Sequence, residues 1–172
     1  MNRSFGFLDL ETTGLDFVKD EISLVGIADA SGIKALSCPT GGKKELVFDV
    51  LVTYNGVGFD LPFLKEKGWS VKFNQHVDLM VVMMEVVGKR CKKDMLCRDL
   101  GIYVPSDPCG SGWNVARLGK KIVGGTATDS ERFMVAAHNV NDLVATQELF
   151  ALALKEGWVN LDEPVVRGGG NE

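Results

Sequence analysis

An apolar segment close to the N-terminus carries two carboxylates two residues apart. The sequence FGFLDLETTG starts at Phe5, and its strand-forming residues predict a β-strand over residues 4–9. Side chains two apart on a strand point to the same face, so Asp9 and Glu11 are predicted side by side. Burying two carboxylates together is costly unless a cation compensates them. The fold must therefore hold the pair at a solvent-facing strand end or beside a hard cation such as Mg²⁺.

Strand patterns continue through the first third of the chain. A polar turn between Thr13 and Asp20 separates two apolar segments, which predicts that the flanking strands are neighbours. Asn55-Gly56 ends a fourth strand, and a helical turn is an alternative for the residues just before that strand. The predicted strands cover residues 4–9, 21–29, 33–37 and 46–54.

Helical patterns dominate the rest of the chain. The longest predicted helix spans residues 128–156, where Thr128 and Glu131 form a capping-box pattern and Gly157 ends the helix. Residues 103–125 are rich in turn-forming residues and are predicted as loop around one short helix. Strands first, helices interleaved and one long helix last predict an α/β layered domain. The shorter predicted helices cover residues 61–68, 78–87, 92–99 and 114–120.

Length and composition limit the possible classes of protein. The 172 residues are sufficient for one domain, predicted over residues 1–165, and residues 166–172 are predicted to be a disordered tail. With 45% hydrophobic residues, 24% charged residues and no apolar run of about 18 residues, a soluble globular protein is expected rather than a membrane protein. Acidic residues interrupt the first apolar run, so no export signal is recognised and a cytoplasmic location is expected.

The net charge also limits the function. A formal charge of -4 is unusual for proteins that coat nucleic acid non-specifically, because such proteins carry a basic excess. It is compatible with an enzyme whose acidic cluster binds divalent cations.

Three short motifs occur in order along the chain. They read DLETTGL at residues 9–15, YNGVGFD at residues 54–60 and HNVND at residues 138–142. Each motif alone is weak, but in this order they resemble the DEDD 3′–5′ exonucleases of the ribonuclease H-like fold. The segment VTYNGVGFDLPFL is most similar to stand-alone exonuclease domains akin to the proofreading domain of family B DNA polymerases. The resemblance implies an α/β fold with a central mixed β-sheet flanked by α-helices.

The resemblance also implies a site for two divalent cations, Mg²⁺ or Mn²⁺. In such a site Asp9 bridges both ions, and Glu11, Asp60 and Asp142 complete the ligand shells. Two ions about 4 Å apart activate a water molecule and stabilise the leaving oxygen of a phosphodiester. Taken alone, Asp60 is typical of a helix N-cap and Asp142 of an acid on a helix surface. The expected activity is hydrolysis of DNA or RNA from the 3′ end.

His138 lies four residues before Asp142, so the two side chains share one face of the predicted helix. This position usually holds tyrosine in the branch of the family that the chain resembles most. His138 is expected to be a catalytic residue that orients or deprotonates the attacking water, because histidine titrates close to neutral pH. A purely structural histidine is the alternative.

The resemblance assigns substrate contacts to five further residues. Thr12 and Thr13 are expected to hold the terminal nucleotide, whereas Leu15 and Phe59 offer apolar surfaces to its base. Core packing is the alternative for Phe59. Asn55 is expected either to bond the substrate backbone or to cap its own turn. A basic cluster is either a solvated face or a phosphate-binding patch, and it comprises Lys89, Arg90, Lys92 and Lys93.

The expected partner is nucleic acid, bound at a single-stranded 3′ end, with no membrane partner. Targeting is expected to depend either on a protein partner or on the ends of free substrates, because no polymerase, helicase or additional binding domain accompanies the motifs. Two other functions are compatible with the same fold: a non-catalytic nucleic-acid-binding module, and a structure-specific endonuclease or resolvase. The presence of all four acids argues against the first, and the T-T-G and F-D sequences disfavour the second.

Overall fold

A five-stranded mixed β-sheet forms the centre of the protein in a computed structural model that describes residues 3–37 and 44–162. The sheet has the strand order β3-β2-β1-β4-β5, with the bounds given below. The β1–β2 and β2–β3 pairs are antiparallel, whereas the β1–β4 and β4–β5 pairs are parallel. The short turn after β1 allows an antiparallel neighbour, and longer crossovers produce the parallel pairs. The strands are β1 (Phe5–Thr12), β2 (Ile22–Asp29), β3 (Gly32–Ser37), β4 (Lys44–Thr53) and β5 (Trp69–Asp78).

Five helices occur within the described residues. The longest, α5, begins after Thr128, whose hydroxyl accepts a hydrogen bond from the Glu131 amide while the Glu131 carboxylate accepts one from the Thr128 amide. This capping box confirms the predicted start of the long helix. The helices are α1 (Asp60–Glu66), α2 (Leu79–Val87), α3 (Lys93–Asp99), α4 (Gly112–Val123) and α5 (Asp129–Lys155).

Helices cover both faces of the sheet, and β1 contributes alternate residues to each face. Phe7 belongs to a buried cluster with Leu143 and Leu149 of α5. Leu8 and Leu10 belong to a second cluster on the opposite face, which includes residues of α1. Asp9 and Glu11 follow Phe7 at intervals of two residues, so their side chains lie on the same face of β1 as Phe7 and point towards α5.

The structure confirms the predicted α/β class and the first four strands. Strand β5 is missing from the predicted strands, although Trp69, Val71 and Phe73 alternate with polar residues in the pattern of a half-buried strand. Helix α4 is longer than predicted, since Ser111 caps it by accepting the Asn114 amide hydrogen. Lys44 and Glu45, just before the predicted fourth strand, belong to β4 rather than to a helical turn, and residues 38–43 lie outside the described residues. The predicted tail at 166–172 also lies outside them, and the extent of the domain over 1–165 stays a prediction.

None of the helices within residues 3–37 and 44–162 is both long enough and apolar enough to cross a membrane.

Candidate active site

Asp9 and Glu11 lie on one face of β1, as their spacing predicts. The pairing of β1 with β2 places Asp9 opposite Gly26 and Glu11 opposite Leu24. Both side chains are largely buried, with 17% of Asp9 and 9% of Glu11 exposed. The pair is therefore not a solvent-facing strand end, and its charges need compensation from within the protein or from a bound cation.

Asp60 is the first residue of α1 and points back towards β1. Pairing of β1 with β4 ends at Phe7, opposite Val52, so the amide of Leu10 lies beyond the ladder. Asp60 Oδ1 accepts this amide hydrogen at 3.0 Å. The N-cap alternative is wrong, because Phe59 occupies the N-cap position and no side chain caps the helix there. Asp60 instead brings a third carboxylate to β1.

Asp142 of α5 joins the carboxylate cluster through Lys93 of α3. The Lys93 Nζ atom lies 3.0 Å from Asp142 Oδ2 and 3.4 Å from Asp9 Oδ1. It also donates a hydrogen bond to the Asp142 carbonyl oxygen at 3.3 Å. The four acids predicted as metal ligands therefore meet beside β1, although they come from three separate elements.

Burial and mutual repulsion perturb the ionisation of this cluster. Burial raises the pKa of Asp9 to about 6, although the charge of Lys93 opposes the shift. Burial, and then the charge of Asp9, raise the pKa of Glu11 and of Asp60 well above their ordinary values. Burial alone would lower the pKa of Lys93, but the charges of Asp9 and Asp142 outweigh it and raise that pKa. The cluster therefore favours a compensating cation.

The Lys93 ammonium already compensates part of this negative charge. Among the described residues, no group of three or more His, Cys, Asp or Glu side chains lies in a geometry ready to hold a metal ion. The ammonium contacts both Asp9 and Asp142, so it occupies a cation position between them. A divalent ion that shares the same two oxygens therefore requires Lys93 to withdraw.

Asn139 links the two acids of β1 from helix α5. Its Nδ2 donates to Asp9 Oδ2 at 2.8 Å and to Glu11 Oε1 at 3.3 Å. The residue is fully buried, and its Oδ1 packs against Gly26, where an added Cβ would lie 1.7 Å from that oxygen. Hydrogen bonds to a carboxylate favour its charged form, so Asn139 both orients the pair and opposes its protonation.

His138 faces the carboxylate cluster and is held by Asp107. Its Nδ1 lies 2.8 Å from Asp107 Oδ1, and its Nε2 lies 3.9 Å from Glu11 Oε1. A carboxylate at Nδ1 favours the tautomer with the proton on Nδ1, which leaves Nε2 as an acceptor. Partial burial opposes ionisation of Asp107, but hydrogen bonds from the Cys109 amide and from His138 outweigh it and lower its pKa.

A cavity of about 640 Å³ borders Glu11, and four of the five predicted substrate residues form part of its wall: Thr12, Thr13, Leu15 and Phe59. Leu15 is 81% exposed at its edge. Phe59 is half-buried, with its ring centroid 6.1 Å from that of Phe17 and 5.6 Å from that of Phe63. Phe59 therefore combines the two predicted alternatives, because it packs in an aromatic cluster and also lines the cavity.

Thr12 and Thr13 line the same cavity, but their hydroxyls bond within the protein. Thr12 Oγ1 donates to the Gly14 carbonyl at 2.6 Å. Thr13 Oγ1 accepts the Glu21 amide hydrogen at 2.9 Å and donates to Asp20 Oδ1 at 3.1 Å. These bonds fix the turn that follows β1, and so they determine the shape of this cavity wall.

Asn55 adopts a turn that buried Asp78 holds in place. Among the described residues it is the non-glycine residue with positive φ, at 67°. The Asp78 carboxylate accepts the amide hydrogens of Asn55 at 2.8 Å and Val57 at 2.9 Å, and it also caps α2 at Met80. Asn55 Oδ1 accepts a hydrogen bond from Arg90 at 3.4 Å. The turn fixes the backbone that leads into α1.

The basic cluster does not form one patch. Lys93 is directed into the carboxylate cluster, whereas Lys89, Arg90 and Lys92 are exposed, and Arg90 also contacts Asn55. The prediction of a solvated face therefore fits Lys89, Arg90 and Lys92 but not Lys93.

Four residues that shape this site are not assigned to it by the sequence. Lys93 is 84 positions from Asp9, and Asn139 is 130 positions from it, so only the tertiary fold brings them together. Asn139 lies inside the third motif, and that position is the one feature of the sequence that indicates a role in the site. The four residues are Asp78, Lys93, Asp107 and Asn139.

The fold and the site together define an α/β protein with a carboxylate cluster on the central strand of a mixed sheet. A family model described as the RNase H superfamily matches residues 6–154, and the chain belongs to that superfamily. This membership supports nuclease activity and the use of divalent metal ions, which are general among RNase H-like nucleases.

Two solved structures illustrate the similarity of fold. The family B DNA polymerase from the hyperthermophilic archaeon Pyrobaculum calidifontis is similar with a TM-score of 0.67 and 16% identity, over 90% of this chain and 25% of that chain. A structure described as the apo form of a nuclease is similar with a TM-score of 0.58 and 18% identity, over 90% of this chain and 75% of that chain. The chain therefore spans about a quarter of the polymerase. No curated protein matches the sequence.

Proposed function

We propose that the protein is a 3′–5′ exonuclease that hydrolyses phosphodiester bonds at single-stranded 3′ ends of DNA or RNA. The observation that carries the proposal is the convergence of Asp9, Glu11, Asp60 and Asp142, from three separate motifs, beside a cavity that borders Glu11. The order of these motifs supports the exonuclease class and the 3′ polarity.

The donor set fits two divalent cations, Mg²⁺ or Mn²⁺. Carboxylate oxygens are the ligands that these ions prefer, and the Lys93 ammonium shows that a cation is stabilised between Asp9 and Asp142. Asp9, Glu11, Asp60 and Asp142 would hold the ions. When bound, such ions activate a water molecule and neutralise charge on the reacting phosphate.

The neighbouring side chains have separate roles in this proposal. His138 Nε2 accepts a proton from the attacking water, while Nδ1 keeps its proton against Asp107. Asn139 holds the carboxylates of Asp9 and Glu11 in one orientation. Lys93 compensates the cluster before the metal ions bind, so the folded protein does not carry four closely spaced uncompensated charges.

The test is degradation of labelled oligonucleotides in Mg²⁺ or Mn²⁺. A linear single strand labelled at its 5′ end should yield a ladder that shortens gradually, whereas a 3′ label should be released as a mononucleotide at once. A circular single strand should remain intact. Asp9→Asn and Asp142→Asn should abolish cleavage, and the matched control Asp99→Asn, at a side chain that is 68% exposed on α3, should retain it.

Each other result identifies a different function. Cleavage of the circle would show an endonuclease, and gradual shortening of the 3′-labelled strand would show the opposite polarity. Binding without cleavage, by folded protein in either metal, would establish the non-catalytic module.

A further inference from the structure

The cavity has the turn after β1 on one side and helix α4 on the other. Trp113, Arg117 and Lys120 all line this cavity. Their spacing places them on one face of the helix. The opposite face is buried in the core through Leu118 and Ile122, and Val115 is buried in the same cluster at the border of the cavity. The cavity-lining face of α4 is therefore not used for packing the domain.

Two large apolar side chains stand exposed at this cavity. Trp113 is 83% exposed and Leu15, on the other wall, is 81% exposed. Exposed apolar groups that share a concave surface indicate a binding site rather than ordinary surface. A volume of about 640 Å³ is sufficient for a small organic group, and an indole offers the flat surface on which a nucleobase stacks.

Positive charge accompanies the indole. Arg117 and Lys120 are exposed, and neither forms an ion pair with a carboxylate of the described residues. The adjacent Lys121, in contrast, turns away from the cavity and pairs with Glu131. In a protein with a formal charge of -4, two cations without acidic partners beside an acidic site match a polyanionic ligand.

We propose that α4 is the strand-binding wall of the site, on which Trp113 stacks an unpaired base and Arg117 and Lys120 contact phosphates of the same single strand. The proposal rests on the exonuclease function and adds residues that the three motifs do not include. It also gives a physical reason for a single-stranded substrate, because a base that is paired and stacked in a duplex does not present its face to an indole.

Binding is measured in the full chain carrying Asp142→Asn, with a fluorescent single-stranded oligonucleotide as the probe. Trp113→Ala should weaken binding by about 5- to 150-fold, the range for loss of one base–aromatic stack. Trp113→Phe should restore much of the affinity, since phenylalanine also offers an aromatic face. Phe133→Ala is the matched control, because Phe133 is 73% exposed on α5 and does not line the cavity.

The cations are tested through the salt dependence of the same binding. Arg117→Gln and Lys120→Gln should each reduce the slope of log K against log salt by about 0.7, the value for one phosphate contact on a single strand. Lys155→Gln, an exposed lysine in the last turn of α5, should leave the slope unchanged.

The outcomes separate this proposal from the proposed function. If the wild type degrades 3′ ends while Trp113→Ala binds and cleaves like wild type, the exonuclease stands and α4 is not the strand-binding wall. If the Asp142→Asn protein binds through Trp113 but the wild type never cleaves, the wall stands and the exonuclease fails. Equal affinity of the Trp113→Ala and Phe133→Ala proteins for the oligonucleotide also overturns the proposal, as does absence of binding by the parent protein.

Discussion

The side-chain oxygen of Asn139 packs against Gly26, and the absence of a Cβ on Gly26 leaves the space that this oxygen occupies. An added Cβ at residue 26 would lie only 1.7 Å from Asn139 Oδ1. Gly26 is also the β2 residue paired with Asp9, so the space that Asn139 Oδ1 occupies is next to an acidic residue of the site. Gly26 of β2 thus determines how the side-chain amide of Asn139 contacts Asp9 and Glu11.

We predict that Gly26→Ala lowers the cleavage rate by displacing Asn139 from Asp9 and Glu11. Asn139→Ala should lower it as well, because the two carboxylates lose their shared donor. The effects should not add, since Gly26→Ala has no amide to displace once Asn139 is alanine. Single-turnover rates of the two single variants and the double variant measure this coupling. Additive losses would show that Gly26 acts independently of Asn139.

Lys93 and a divalent ion should compete for the same carboxylates. Lys93→Met leaves Asp9 and Asp142 without their ammonium partner, so the metal-free protein should lose stability. The loss should be below the roughly 3–5 kcal/mol of a fully buried broken pair, because 32% of the Asp142 side chain is exposed. Mn²⁺ should raise the melting temperature more in Lys93→Met than in wild type, since an ion that binds only the folded state stabilises it by mass action.

Thermal unfolding with and without Mn²⁺ measures both parts of this prediction. Lys92→Met is the matched control, because Lys92 is exposed and adjacent in the chain. An equal Mn²⁺ response in the wild type and in both variants would mean that the ion does not compete with Lys93.

The contact between His138 and Asp107 predicts a graded loss of rate. His138→Ala should slow single-turnover cleavage by about 10²- to 10⁴-fold, as expected for loss of a general base, while Mn²⁺ still stabilises the protein. Asp107→Ala should cost about 10- to 100-fold, because the ring loses the partner that orients it. Asp107→Asn should recover part of that loss, since its side-chain oxygen still accepts from Nδ1. Asp107→Ala should have no further effect when His138 is already alanine.

The sequence predicts the parts of this site that depend on local spacing. Asp9 and Glu11 share a face because they are two apart on a strand, and the long α5 helix is defined by its capping box. The sequence does not predict Lys93 or Asn139, because their contacts with Asp9 span 84 and 130 positions and depend on how α3 and α5 pack. The alternative that Asp60 is only an N-cap fails for a related reason: the free amide of Leu10, which Asp60 accepts, exists only because the β1–β4 ladder ends early.

The second histidine, His76, is fully buried in β5 and predicts a pH dependence of stability. Its Nε2 lies 2.9 Å from Thr53 Oγ1, and its Nδ1 has no hydrogen-bond partner among the described residues. Burial lowers the pKa of His76, although the charge of Asp78 opposes the shift. Below the ordinary histidine pKa of about 6.5, the unfolded chain binds a proton that the folded protein resists. The contribution of His76 to the free energy of unfolding is therefore complete above that pH, and it is lost as the pH falls towards the lowered pKa of His76 in the folded protein.

We predict that the difference in unfolding free energy between wild type and His76→Gln shrinks as the pH falls from 7.5 to 5.5, a range of about 2 units around the histidine pKa. Protonation of Asp9, whose pKa is raised to about 6, acts with the opposite sign, because the folded state binds that proton more tightly. That effect is common to both proteins and cancels in the difference. Urea unfolding without metal at several pH values measures the difference, and an NMR titration of the wild-type ring signals checks it independently. A difference that stays constant with pH, together with a ring that titrates at or above the ordinary value, would show that burial does not lower the pKa of His76.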